Sequence, residues 1–144
     1  MKAITSMKTN ELLKQFYKQL GRLLYAIAKV DEKIQKKEVE ALNEFVSKEL
    51  AFFETSTDSS GMNQAFYTYF EFEECINKKI SIEEAHASFV NFLDANIIDL
   101  DFTLIEKSIT AIEKIAGAYR KINKKEKQLI NTTKSRIRSL IDLF

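Results

Sequence analysis

A chain of 144 residues, 45% apolar and 30% charged, lies in the single-domain range, with enough apolar surface for one sizeable core and too much for disorder. One cysteine and one histidine exclude an intrachain disulfide and a Cys/His structural zinc site, and they point to a reducing, cytoplasmic setting. The net charge of +1 hides a division into three: residues 1–50 are about +3, 51–106 about −9 and 107–144 about +7, so an acidic layer neutralised by a basic one is expected within the fold.

The first twenty residues are polar and lysine-rich, without the apolar run of about 7–15 residues that a signal peptide needs. Nowhere do about 18 apolar residues run together, so no transmembrane segment is expected. Proline is absent and only Gly21, Gly61 and Gly117 interrupt the chain, which makes helix the default. A first helix is expected from about Asn10 to Lys29, with Leu12, Leu13, Phe16, Tyr17, Leu20, Leu23, Leu24, Ile27 and Ala28 at three-and-four spacing and Lys14, Lys18 and Lys29 off that face. A turn at 31–34 leads to a second helix, about Lys36 to Ala51, with Val39, Leu42, Phe45 and Val46 inward. The polar stretch Thr55 to Ser60 reads as a loop.

Residues 62–77 are open to two readings. Phe66, Tyr67, Tyr69, Phe70 and Phe72 suit a strand, whereas Ala65, Phe66, Tyr69, Phe70 and Ile76 share one helical stripe, and helix is preferred. Ser81 with Glu84 is a reciprocal capping pair that opens a fourth helix near Ile82, running to about Ala95. Asp101 or Thr103 caps a fifth that reaches Ala118, and Asn123 with Glu126 opens a sixth from Lys124 to about Leu143. The expected fold is therefore an all-α, single-domain bundle of six to seven helices over residues 1–144, with antiparallel neighbours.

Leu24 to Leu42 aligns without a gap on Ile112 to Ile130 at a constant offset of 88. Ala28 meets Ala116, Ile34 meets Ile122, Lys36 and Lys37 meet Lys124 and Lys125, and Glu38 meets Glu126. Each copy reads as a helix–turn–helix unit whose isoleucine plugs the turn. In the first copy Ala28, Asp31, Ile34 and Glu38 match the pattern alanine, two residues, aspartate-glycine, one residue, isoleucine, three residues, glutamate, and at these residues the chain resembles the tellurite-resistance TerB family. Glu32 stands where that family prefers glycine, and Tyr119 and Arg120 replace aspartate and glycine in the second copy. The resemblance implies an all-helical fold of roughly seven helices, a role in bacterial stress or tellurite resistance without a defined chemistry, and a divalent-cation site on acidic residues.

Asp31, Glu32 and Glu38 set three carboxylates around one turn, the oxygen ligands that a weak Ca²⁺ or Mg²⁺ site would use. The alternative needs no metal, with Asp31 accepting turn amides and Glu38 capping the second helix. An EF-hand is excluded, because Ile27 and Lys29 stand at its first two ligand positions. His86 has no histidine or carboxylate four residues on, so it reads as a lone histidine; a metal hydrolase would have to combine it with Asp31 and Glu38 across the fold. Cys75, beside Glu73 and Glu74, reads as a small core residue. Ser59, Ser60 and Gly61 form neither a nucleophile elbow nor a phosphate cradle, and no enzyme signature appears elsewhere.

Two surfaces compete for a binding role. The aromatic group Phe66 to Phe72, with Phe52 and Phe53 upstream, is richer than one core helix needs, so any exposed part would meet a protein partner or a second copy of the chain. The basic stretch Lys121, Lys124, Lys125, Lys127, Lys134, Arg136 and Arg138 could track nucleic-acid phosphates or an anionic membrane surface, although it lacks interleaved aromatics and any nucleic-acid module. The expected function is that of a non-catalytic protein acting through protein contacts, with no cofactor unless the acidic turn holds Ca²⁺ or Mg²⁺. Nucleic-acid or membrane-surface binding is the alternative.

Overall fold

Leu20, Leu23, Leu24, Tyr25, Ala26, Ile27 and Ala28 follow one another so closely that no polar face is left among them, and a helix apolar on all sides must be surrounded by others. The computed structural model shows that arrangement, each of these residues being at most 1% exposed. It describes residues 2–30, 34, 36–51, 54, 61–117 and 124–142, with the side chains of 2–9, 115–117 and 126 left outside the description. The described residues form six α-helices: α1 (Lys2–Lys29), α2 (Lys36–Phe45), α3 (Tyr67–Lys78), α4 (Ile82–Asn96), α5 (Phe102–Gly117) and α6 (Lys124–Asp142). Helix α1 is the axis, packed against α3, α4, α5 and α6, while α2 lies on α5. The fold is an all-α bundle, and among the described residues there is no strand and no helix long and apolar enough to cross a membrane.

Several boundaries differ from those expected. Helix α1 begins at Lys2 rather than near Asn10. Ala3, Ile4 and Met7 make only one apolar turn, cut off from the stripe that starts at Leu12 by polar residues 8–11, so periodicity alone gave little reason to extend the helix back. Helix α2 passes into a π turn, Val46–Leu50, where the Ala51 amide reaches back to the Val46 carbonyl. The wider turn keeps Val46 and Leu50 both buried on the side of Leu42 and Phe45.

The segment that could have been a strand is a 3₁₀ turn, Gln64–Phe66, followed by α3, because Asn63 starts a helix there. Its Oδ1 accepts the Ala65 amide at 2.9 Å, while its Nδ2 donates to the carbonyls of Ala51 and Glu54 at 2.8 and 2.9 Å. Helix α3 ends on Lys79 in the left-handed conformation, φ 54°, with the Ile80 amide donating to the Cys75 carbonyl. The Tyr25 hydroxyl donates to the Ile80 carbonyl at 2.7 Å and ties this turn to α1. Ser81 caps α4 as expected, its Oγ accepting the Glu84 amide at 3.1 Å, and Asp101 caps α5 through the Thr103 amide at 2.8 Å.

The repeat is visible in the helices that flank its turns. Helix flanks both segments of the repeat, α1 and α2 around the first and α5 and α6 around the second, as the offset of 88 requires. Burial keeps the register at Leu20 and Ser108, Leu23 and Ala111, Leu24 and Ile112, Leu42 and Ile130, and Phe45 and Thr133, but not at Tyr25, Ala26 and Leu50, whose counterparts Glu113, Lys114 and Arg138 are exposed. Ile34 packs against the core from the first turn, and Ile122 lies outside the described residues.

Helices α1 and α3 approach closely at Gly21. A methyl group there would run into the Thr68 carbonyl oxygen and lie 3.1 Å from Glu71 Cβ and 3.2 Å from the Phe72 nitrogen. Thr68 uses the same closeness, its hydroxyl donating to the Tyr17 carbonyl at 3.0 Å.

Candidate functional site

Glu38, from the first turn of α2, is 3% exposed and already engaged within the fold. Its expected partners in cation binding, Asp31 and Glu32, lie outside the described residues, as do Ser59 and Ser60. Among the described residues no group of three or more His, Cys, Asp or Glu side chains is placed to hold a metal ion.

His86 faces α6, its Nε2 2.9 Å from the Thr133 hydroxyl. That hydroxyl gives its one proton to the Leu129 carbonyl at 2.8 Å, so Nε2 carries the hydrogen and the ring is the donor. Burial lowers the His86 pKa, favouring the neutral imidazole that fits this contact. Cys75 is buried against α1, and burial first, then the Glu71 carboxylate, push its thiol up to about 11. Neither residue has the surroundings of a nucleophile or an acid–base pair.

The basic and acidic segments do neutralise one another in part. Arg136 grips both carboxylate oxygens of Asp94 at 2.9 and 2.7 Å, whereas Lys134 meets Glu113, which belongs to the basic third itself, at 2.8 Å. Arg22 joins three helices, donating to Glu71 on α3 at 2.9 Å and to Ser88 on α4 at 3.2 Å, while Ser88 donates to Gln19 at 2.7 Å. On α6 the exposed cations Lys124, Lys125 and Lys127 sit at one end and Arg138 lies further along, separated from Lys127 by about 16 Å at 1.5 Å per residue. Such a spread is not a continuous phosphate-tracking stripe.

The aromatic segment divides. Phe72 is fully buried and packs edge-on against Tyr25 with ring centroids 6.2 Å apart, whereas Phe70 is half-exposed. Tyr67 lies under Lys14 and Lys18, whose ammonium groups are 5.1 and 5.7 Å from its ring centroid.

Among the described residues the most exposed large apolar side chains lie elsewhere, where α4 gives way to α5. Ala85, Phe89 and Leu93 face the core from α4 at intervals of four, after which the chain tightens into a 3₁₀ turn, Ile97–Asp99. Ile98, five residues past Leu93, falls well off the inner face, and it stands 76% exposed with Phe102 at 53% just beyond. Ile97, Ile98, Leu100, Phe102, Ile105 and Ile141 line a cleft of about 400 Å³ between the connector, α5 and the end of α6. A second hollow of about 380 Å³ continues it past Phe102 and Ile141 along Glu106, Ile109, Thr110, Arg138 and Asp142. Sequence reasoning passed over this groove. Its signal was an apolar run, Ile97, Ile98 and Leu100, inside a stretch assigned to a connection, where no helical face required it.

No family model, curated protein or solved structure matches the chain.

Proposed function

We propose that the protein is a non-catalytic, TerB-like module of a bacterial stress response that works in the cytoplasm by binding another protein, with the groove beside Phe102 as its docking surface. One observation carries the docking reading: Ile98 and Phe102, the two most exposed large apolar side chains among the described residues, project beside an open apolar cleft. The kinship rests on the Ala28, Asp31, Ile34 and Glu38 pattern and is supported by a second pair of helices, α5 and α6, where the repeat expects one. Nucleic-acid or membrane-surface binding through α6 has less support, since Lys134 and Arg136 are committed to Glu113 and Asp94.

The test is a photo-crosslinking side chain placed at Ile98 in the native host, beside the same group at exposed Glu83. A protein captured from position 98 and not from 83, and lost when Phe102 is changed to Ser, is the expected result. Identical captures from both positions would overturn the groove as the docking surface. The cation part of the proposal is separable. A Ca²⁺ or Mg²⁺ site filled to about 100 times its Kd raises stability by about 2.7 kcal/mol, and that gain must vanish in Asp31→Asn and Glu38→Gln.

A further inference from the structure

The charges around the groove are not evenly mixed. Glu106 and Asp142 line it, and Asp99 and Asp101 flank Leu100 in the connector; all four are exposed. The single cation among the lining residues is Arg138. Asp94, on the preceding helix, is already neutralised by Arg136, and none of these four takes part in an ion pair found among the described residues. The result is an apolar floor under a predominantly negative rim.

Resting on the proposed docking role, we infer that the occupant of this groove is a basic amphipathic helix of a partner protein, with apolar residues on one face and lysine or arginine along its flanks. The negative rim selects among occupants. A second copy pressed groove to groove would set these four carboxylates against four more, and like charges brought together at an interface are strongly disfavoured. An anionic membrane surface meets the same repulsion. The shape argues for a helix over an extended segment: the groove runs between two helices, and among the described residues no sheet edge offers backbone groups for strand addition. A helix laid along it would seat residues spaced three and four apart around Ile98, Phe102 and Ile141, and its flanking cations would meet Glu106, Asp142, Asp99 and Asp101.

The experiment titrates the full chain with a designed helical peptide of about 15 residues, four turns long, bearing leucine on one face and lysine elsewhere. A peptide with glutamate in place of each lysine and a scrambled Leu/Lys peptide of equal charge serve as comparisons. The Leu/Lys helix is expected to bind at least about tenfold more tightly than either, a difference of about 1.4 kcal/mol. It should weaken about tenfold in Ile98→Ser and in Phe102→Ala, whose exposed positions leave the fold intact by circular dichroism. Glu106→Gln with Asp142→Asn should flatten the salt dependence of binding.

Equal binding of the Leu/Lys and Leu/Glu helices, both lost in Phe102→Ala, overturns the basic partner and leaves the groove as a docking surface. Leu/Lys binding that ignores the Ile98 and Phe102 changes overturns the placement. Absence of binding by any peptide overturns the inference, while crosslinking from position 98 judges the docking role separately. Self-association in sedimentation, or flotation with vesicles containing phosphatidylserine, that disappears in Ile98→Ser would assign the groove to a second copy or to a membrane and overturn it equally.

Discussion

Replacing Gly21 by alanine tests the contact on which the bundle turns. In an open helix this change stabilises by about 1 kcal/mol, because alanine is the better helix former. Here the added methyl meets the Thr68 carbonyl oxygen, and behind it lie Glu71 Cβ at 3.1 Å and the Phe72 nitrogen at 3.2 Å. Two of these three atoms are backbone, so relief requires α3 to move as a body rather than one side chain to swing aside. Overpacking of this kind costs about 1–3 kcal/mol, and the backbone obstacle puts Gly21 at the upper end. Moving α3 also strains the Thr68 to Tyr17 hydrogen bond and the Arg22 to Glu71 ion pair. After the gain in helix propensity, a net loss of about 1–2 kcal/mol remains, which lowers the Tm of a domain this size by roughly 3–8 °C. Thermal and urea unfolding followed by circular dichroism measure it, with exposed Asn91→Ala as a control for propensity alone. An unchanged or raised midpoint for Gly21→Ala would show that α1 and α3 are not packed at this point.

Other expectations follow from single groups. Lys79→Gly relieves the left-handed cap of α3, and after the entropy of the freer unfolded chain is subtracted it should stabilise by about 0.5–1 kcal/mol; a loss in urea midpoint would argue against that cap. Ser108, fully buried on α5, has a hydroxyl with no hydrogen-bond partner among the described residues, so Ser108→Ala should leave stability unchanged or raise it by up to about 1–3 kcal/mol, and a fall in Tm contradicts this. His86 has a folded pKa below its usual 6.5, so the unfolded chain takes up the proton first as pH falls. Its contribution is fully present above about 6.5 and is lost as pH drops toward the folded value; an NMR titration midpoint at or above 6.5 would reverse the sign. Cys75, with its thiol pushed to about 11 and its side chain buried, should resist a disulfide reagent at pH 8 until urea unfolds the chain, and rapid labelling of the native protein would refute the burial.

Much of the bundle was legible because its signals are local. The Ser81 and Glu84 spacing located the start of α4 to the residue, since a capping hydroxyl acts on an amide three positions away. The repeat at an offset of 88 placed a helix on either side of both of its segments, because equivalent apolar positions must meet equivalent cores. The second copy also shows where the repeat has drifted: Leu20 and Phe45 correspond to Ser108 and Thr133, hydroxyls placed at core positions. Thr133 found a carbonyl and a histidine there, whereas Ser108 has no partner among the described residues. The π turn in α2 left no trace in the residue pattern, since Val46 and Leu50 keep a spacing that an ordinary helix also permits.

The groove was not legible for a different reason. Ile98 and Phe102 look in sequence like any other apolar pair near a helix boundary, and their exposure depends on how the connector leaves α4 and on where the end of α6 comes to rest, some forty residues later. By itself the amino-acid order determined the helical class, the repeat and the charge division, because each rests on interactions within a few residues or on composition. Only the tertiary structure decided which apolar side chains stay outside and which carboxylates remain beside them, because burial and charge pairing are properties of surfaces assembled from segments distant along the chain.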